Sequence, residues 1–273
     1  MAKKTICYSD PIHDDFANNQ IKTKRIPSDY PFVKRNPFWL TAEFIAYRLI
    51  ATPLVWLIGK LGFGLRIKNR KVVRNLRKTG FYLYGNHTQA MMDAYTPSVC
   101  VFPHKAFIVA NPDAVSIPGI RWFVQMLGAI PLPGTPRGFQ RFTEALAYRT
   151  SRGSVVTIYP EAHIWPWFTG IRPFPDSSFA YPVQQNVPSV AFVTTYRQRR
   201  LFKKLPPLMT VTLSEPFYPD LTLHPRQARK KLRDQVHDFM CRTASKTENY
   251  AYYEYVYAPK ESAKETECSI PSA

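Results

Sequence analysis

An α/β fold, one sheet covered by helices, is what this sequence predicts, and three observations predict it. Short apolar runs bounded by Gly or Pro recur along the chain, among them Gly80–Gly85 (GFYLYG), Ala106–Ala110 (AFIVA) and Ser154–Tyr159 (SVVTIY). Runs of that length and composition suit buried strands. Helix-like stretches stand between them, so the two types alternate instead of segregating, the pattern of a sheet with helices on its faces. A hydrophobic share of 45% with 14% aromatics over 273 residues provides for one sizeable core, unlike the composition of a disordered chain.

Four stretches follow in order. Residues 1–36 are polar, basic and Pro-containing without periodicity, and read as a weakly ordered lead-in. Residues 37–67 form the next stretch, and its Pro37–Leu65 part, PFWLTAEFIAYRLIATPLVWLIGKLGFGL, is apolar but interrupted by Glu43, Arg48 and Lys60. The longest uncharged run, Leu49–Gly59, falls short of the ~20 apolar residues of a spanning helix, and Pro53 interrupts the helical pattern. Two short helices forming a membrane-apposed hairpin are expected, with Trp39 and Trp56 at headgroup level. A buried helical hairpin is the competing reading.

Residues 68–247 carry the alternating core. Beyond the three runs above, Ala129–Leu132, Pro188–Tyr196 and Leu208–Leu213 read as strands. Gly119–Leu127, opened by Pro118, Gly138–Arg149 and the charged Pro225–Ala244 read as helices. Residues 248–273 begin with Tyr250, Tyr252, Tyr253, Tyr255 and Tyr257, then turn polar, and are expected to be loose beyond Pro259.

The formal net charge is +18, which implies an anionic partner: nucleic acid, an anionic membrane surface or an acidic carrier protein. No zinc-finger spacing, aromatic RNA-binding box or helix-turn-helix signature accompanies the charge, so no nucleic acid is expected. Cys7, Cys100, Cys241 and Cys268 show no paired spacing, and no apolar signal core opens the chain. A reduced, cytoplasmic protein is expected.

Two stretches carry chemistry. Gly85-Asn86-His87-Thr88-Gln89-Ala90-Met91-Met92-Asp93 directly follows the first strand, and the carboxyl end of a strand is where α/β proteins place their sites. Imidazole titrates near neutrality, and a carboxylate beside it fixes its tautomer and stabilises the imidazolium. No G-x-S-x-G or reactive-Cys signature provides a nucleophile, so such a base would activate a hydroxyl of the substrate. From spacing alone, a histidine that merely satisfies a turn is the stronger reading. The second stretch, Tyr159-Pro160-Glu161-Ala162-His163, puts Glu161 and His163 at another strand end. Glu161 there either orients an acceptor hydroxyl or supports its own loop. A metal site from His87, Asp93, His104 and His163 lacks any H-E-x-x-H-like spacing, and none is expected.

Asn86-His87 with Asp93 resembles the first box of the lysophosphatidate and glycerol-phosphate acyltransferase family. Tyr159-Pro160-Glu161-Ala162-His163 resembles its Phe-Pro-Glu-Gly-Thr-Arg box. Ile117-Pro118-Gly119 with Leu127–Leu132 resembles the approach to its second box, and Val187–Phe192 its Val-Pro-Ile box. Order and separation agree across roughly Phe81–Thr195, and the apolar stretch before the first box is similar to the family's membrane-apposed helices.

The resemblance implies a glycerolipid-acyltransferase-like sheet in which His87, oriented by Asp93, deprotonates a lysolipid hydroxyl that attacks an acyl thioester. It also implies 1-acylglycerol-3-phosphate as the acceptor, acyl-CoA or acyl-carrier protein as donor, no cofactor, and a peripheral or monotopic place on the cytoplasmic face of the cell membrane. Three departures stand against the pattern. Five residues, not four, separate His87 from Asp93; His163-Ile164 replaces the third-box Arg; Pro133-Gly134 replaces the second-box Arg. The family's arginines are associated with the acceptor phosphate, which suits a guanidinium fork. Substrate contacts are therefore expected from Asn86, Glu161 and His163, with Lys105, Arg137 and Arg172 as replacement cations and Arg141 as a fourth candidate. Another lysolipid or a glycolipid is the alternative acceptor.

Overall fold

The computed structural model describes residues 4–16, 25–116 and 121–259. Its centre is a seven-stranded sheet in the order β2 (Arg66–Lys68), β8 (Leu208–Leu213), β7 (Ser189–Arg197), β3 (Phe81–Gly85), β6 (Val155–Ile158), β4 (Ala106–Ala110) and β5 (Ala129–Pro131). The five strands from β7 to β5 run parallel, while β8 runs antiparallel to β7. Every residue of β3 and β6 is buried, as expected of strands covered on both faces, which read as continuous apolar runs.

Side-chain alternation along the strands divides the core in two. Tyr82, Tyr84, Val156 and Ile158 face one side, where α6 (Pro136–Ser151), α7 (Ala180–Gln185) and α8 (Pro225–Lys246) supply Phe142, Leu146, Val183, Leu232 and Val236. Phe81, Leu83, Val155 and Phe192 face the other, against Val55, Leu65, Val72, Val73 and Met92. Both layers meet at β3, the middle strand. All six strands read from the sequence are present; β2, only three residues long, escaped notice.

Three expectations are corrected. The lead-in is not loose where it is described. β1 (Lys4–Tyr8) pairs in parallel with β9 (Tyr253–Tyr257), register Ile6 to Tyr255, as a separate two-stranded sheet. Ile26, Tyr30 and Phe32 are buried in the core. An irregular segment buries its apolar residues one at a time and leaves no period to read. Secondly, Cys7 is disulfide-bonded, whereas Cys100 and Cys241 are free thiols, so the expectation of four reduced cysteines does not hold.

Thirdly, the hairpin is one continuous helix over Pro37–Leu61: α1 (Pro37–Phe44), a π-helical stretch Ile45–Ala51, and α2 (Thr52–Leu61). Pro53 does not end it. The Thr52 amide reaches back five residues to the Tyr47 carbonyl, and this widened turn leaves Pro53 in the opening turn of α2, where no amide donor is needed. Glu43 and Arg48 do not interrupt its apolar face. Glu43 turns inward to Lys105 at 2.5 Å and Arg48 donates to the Pro103 carbonyl. Phe38, Phe44, Leu49, Leu54, Leu57 and Leu61 point outward and are exposed. By length and composition this helix suffices to cross a membrane. The helix opening at Pro118 lies outside the described residues in its first turn; Arg121–Met126 forms α5. The tail beyond Pro259 also lies outside them.

Candidate active site

β3 delivers the first box to the carboxyl edge of the sheet. Gly85 ends the strand where a Cβ would sit 2.1 Å from the Phe192 ring, so only glycine lets the backbone pass so close. Asn86 then ties the loop to β7: its Nδ2 donates to the Thr194 carbonyl at 3.0 Å, and its Oδ1 accepts from the Thr194 amide at 2.8 Å. Asn86 is thus engaged at both ends of its carboxamide.

His87 stands next, its side chain 24% exposed, with Nδ1 at 2.8 Å from Asp93 Oδ2. The extra residue of the long spacing is absorbed in the loop. The Asp93 carboxylate accepts from the Gln89 amide at 2.8 Å, and the Asp93 amide donates to the Gln89 carbonyl at 2.9 Å. One turn therefore runs from Gln89 to Asp93, and His87 reaches back over it. Asp93, buried, accepts at Nδ1–H and fixes the tautomer whose Nε2 is the basic nitrogen.

Tyr159 closes the other side of the imidazole. Its ring stacks on His87 with centroids 4.5 Å apart and planes 20° apart, and its hydroxyl donates to the Asp93 carbonyl at 2.6 Å. Burial pushes this phenol well above its ordinary pKa, so it is a neutral donor. Sequence reasoning passed over Tyr159, taking it only as the opening residue of a box.

Glu161 is buried beneath the loop. Its carboxylate accepts from the His87 amide at 3.1 Å, from the Arg172 amide at 3.1 Å and from Arg172 Nη2 at 3.3 Å. Burial raises its pKa, with Arg172 opposing. Ala162 follows at φ 63°, a left-handed backbone that a Cβ strains by roughly 1–2 kcal/mol. The next residues dock on the first box: the Trp165 amide donates to the His87 carbonyl at 3.0 Å, and the Trp167 amide to the Thr88 carbonyl at 2.7 Å.

The chain termini brace this loop from outside. Trp165 packs against Tyr8 and Phe16 and stacks on Tyr255 at 5.1 Å. The Phe16 amide donates to the Ile164 carbonyl, and Trp165 Nε1 to the Asp14 carbonyl. His163, a third exposed, has Nδ1 at 3.3 Å from Asp15. The Tyr-rich segment noted in the sequence is one wall of this clasp.

The expected cations do not converge on His87. Arg172 is 2% exposed, paired with Glu161, over the Trp165 ring at 4.9 Å and donating to the His163 carbonyl. Its guanidinium serves the interior and presents nothing to a headgroup. Lys105 precedes β4 at the opposite edge of the sheet: Ala106 lies in register with Val155, and Val155 with Phe81. That is six residues before His87, roughly 20 Å at ~3.3 Å per residue. Arg137, exposed at the start of α6, lies at the same sheet edge as His87 but beside β5, three strands away or roughly 14 Å. Arg141 donates to the Ser28 carbonyl at 3.4 Å. His104 is bonded to the Gly153 carbonyl at the far edge, and no group of three potential metal ligands occurs among the described residues.

Residues 65–194 match the model of the family described as Acyltransferase. No curated protein matches the chain. Solved structures match the fold, among them the 1-acyl-sn-glycerophosphate (LPA) acyltransferase PlsC of Thermotoga maritima. That match has a TM-score of 0.55 at 17% identity, over 78% of this chain and 89% of the other. The family match takes in the strands that carry His87, Asp93 and Glu161. The match to the acyltransferase family model thus spans residues 65–194, slightly under half of the chain.

Proposed function

We propose that the protein transfers a fatty acyl group from a thioester, acyl-CoA or acyl-carrier protein, to the free hydroxyl of a lysophospholipid, with 1-acylglycerol-3-phosphate as the principal acceptor. The observation that carries this reading is the His87–Asp93 contact at 2.8 Å at the carboxyl end of the central strand of an acyltransferase-family domain. His87 Nε2 takes the acceptor's hydroxyl proton as the oxygen bonds to the thioester carbonyl carbon. The tetrahedral adduct then expels the thiolate, the C–S bond breaks, and the imidazolium returns its proton to sulfur. Asp93 stabilises the imidazolium throughout, and Asn86 and Glu161 hold the loop in register. No cofactor takes part. The exposed apolar face of the Pro37–Leu61 helix supports attachment to a membrane, where the lipid acceptor would reside.

A second reading of the acceptor is favoured by one observation: Lys105 is paired with Glu43 at the opposite edge of the sheet, and Arg172 is buried against Glu161 behind the His87 loop, so neither presents its charge to an acceptor. A phosphomonoester needs clustered donors to offset its desolvation, so a neutral or zwitterionic lysolipid is the alternative.

Purified full-length protein in mild detergent, assayed with both donor types against lysophosphatidate, lysophosphatidylcholine and lysophosphatidylglycerol, tests both readings. Transfer to any of them that falls by roughly 10² or more in a folded His87→Ala variant supports the acyltransfer chemistry. Unchanged rates in that variant overturn it. The ranking of acceptors decides between the phosphomonoester and its alternatives.

A further inference from the structure

A cleft far from His87 is electrostatically incomplete. It lies between residues 31–36, the amino end of the Pro37–Leu61 helix, α5 and the edge strand β5. Its outer part, about 560 Å³, is lined by Val33, Lys34, Arg35, Phe38, Ala42 and Met126 among others. Its inner end narrows to about 20 Å³ and reaches Tyr30, Glu43, Gln125 and Arg149. Lys34 and Trp39 line both parts.

The inner end gathers Lys34, Lys105 and Arg149 around one carboxylate, Glu43, which pairs with Lys105 at 2.5 Å. Lys34 has instead the neutral Gln125 carbonyl at 2.7 Å and the Trp39 ring at 3.4 Å. Arg149 donates to the Phe32 carbonyl and sits over the Phe107 ring at 4.1 Å, while its buried Nε has no partner. Arg35, exposed at the rim, has its guanidinium 5.3 Å from the Tyr148 ring. Burial, helped by the neighbouring Arg149 and Arg48, pushes Lys105 down to about 8, and burial lowers Arg149 as well. Partly buried cations in excess of their carboxylates are unfavourable unless an anion completes them.

What lies next to the cleft decides which anion. Phe38 and Ala42 belong to the same helix whose outward residues Phe44, Leu49 and Leu54 are exposed and apolar. An occupant therefore meets cations at the inner end and an apolar wall running outward. We propose that this cleft binds an anionic bilayer phospholipid, its phosphate held between Lys34, Arg35 and Arg149 and its acyl chains lying along Phe38 and Ala42. The proposal rests on the reading that this helix faces a membrane.

Two experiments on the full-length protein separate the two. In the first, short-chain dihexanoyl phosphatidylglycerol, dihexanoyl phosphatidylcholine and inorganic phosphate are each titrated into protein held in detergent. The signal is the part of the tryptophan emission that Trp39→Phe removes, since Lys34 lies on that ring. Phosphatidylglycerol should saturate the signal, phosphatidylcholine should bind about tenfold or more weakly, and Lys34→Gln/Arg35→Gln should abolish the difference. Circular dichroism verifies the fold of the double variant. Equal binding of the two lipids, an unchanged preference in the double variant, or saturation by inorganic phosphate as tight as by lipid overturns the proposal. In the second, flotation is measured on phosphatidylcholine vesicles alone and mixed in equal parts with phosphatidylglycerol. The double variant should still float on the mixed vesicles but lose most of the gain that phosphatidylglycerol gives the parent. A parent protein that floats on neither defeats the membrane reading, while the titration still judges the cleft.

Discussion

The His87 ring and the Asp93 carboxylate meet at 2.8 Å across five intervening residues because the Gln89 amide shares the same carboxylate oxygen. That oxygen anchors both the imidazole and the turn that carries Asp93 itself. Replacing it by an amide changes two things together. The Asn Nδ2 of Asp93→Asn donates where Oδ2 accepted, which favours the Nε2–H tautomer and removes the base. A fall in kcat of about 10²–10⁴ is expected, with the acceptor KM changing much less. Initial rates on protein of unchanged circular dichroism measure it, and a variant with near-parental kcat would remove Asp93 from the mechanism.

Glu161 and Arg172 form a buried pair behind that dyad, 0% and 2% exposed in their side chains. Glu161→Gln leaves the Arg172 charge in the interior without a carboxylate and should lower unfolding free energy by roughly 3–5 kcal/mol. Glu161→Gln/Arg172→Met removes both charges and should recover a large part of that loss. Urea denaturation of the two single variants and the double gives the coupling energy. Additive losses would mean that the pair is not a unit. Acyl transfer should fall in Glu161→Gln even at low temperature, because the His87 amide loses an ionic acceptor.

Much of this was legible in the sequence. The strands β3, β4 and β6 were readable because each is a short apolar run between turn residues, and burial on both faces leaves no polar alternation to confuse the reading. His87 and Glu161 were visible because they follow such runs directly. What the sequence concealed is what long-range pairing decides. Nothing local in Thr5–Tyr8 announces a partner nearly 250 residues away, yet β1 pairs with β9 in register. Tyr159 looked like an ordinary strand end, and its stacking on His87 requires β3 and β6 to be neighbours. Pro53 signalled a break that a π turn avoids. Lys105 and Arg172 show only their charge in the sequence, and only the fold shows that Glu43 and Glu161 already engage them.

The outward face of the Pro37–Leu61 helix should control membrane attachment independently of catalysis. Leu49 and Leu57 are 62% and 46% exposed on it. Leu49→Glu/Leu57→Glu places two carboxylates in that face without disturbing a packed neighbour, and each opposes insertion into a hydrocarbon layer. Flotation with phosphatidylcholine vesicles should drop to background while the thermal transition stays within about 1 kcal/mol of the parent. Transfer to a monomeric short-chain acceptor should persist, and transfer to vesicle-borne acceptor should be lost. Unaltered flotation would show that the attachment surface lies elsewhere.

Lys105 gives the fold a pH dependence of determined sign. Its folded pKa is pushed down to about 8 by burial, against the ordinary 10.5 in an unfolded chain. Between those values the unfolded state binds the extra proton, so unfolding free energy rises with pH. The group therefore weighs against the fold fully below pH ~8, and that penalty is relieved as pH climbs towards 10.5. Other lysines and tyrosines titrate in the same range, so the contribution is isolated as a difference between the protein and Lys105→Met/Glu43→Gln, which removes the ion pair as a unit. The urea midpoint of the parent should gain on that of the double variant as pH rises through this window. Below pH 8 the difference should be flat. A difference that stays constant, or that shrinks as pH rises, would mean that the Glu43 carboxylate holds the Lys105 ammonium charged throughout and that burial does not prevail over the pairing.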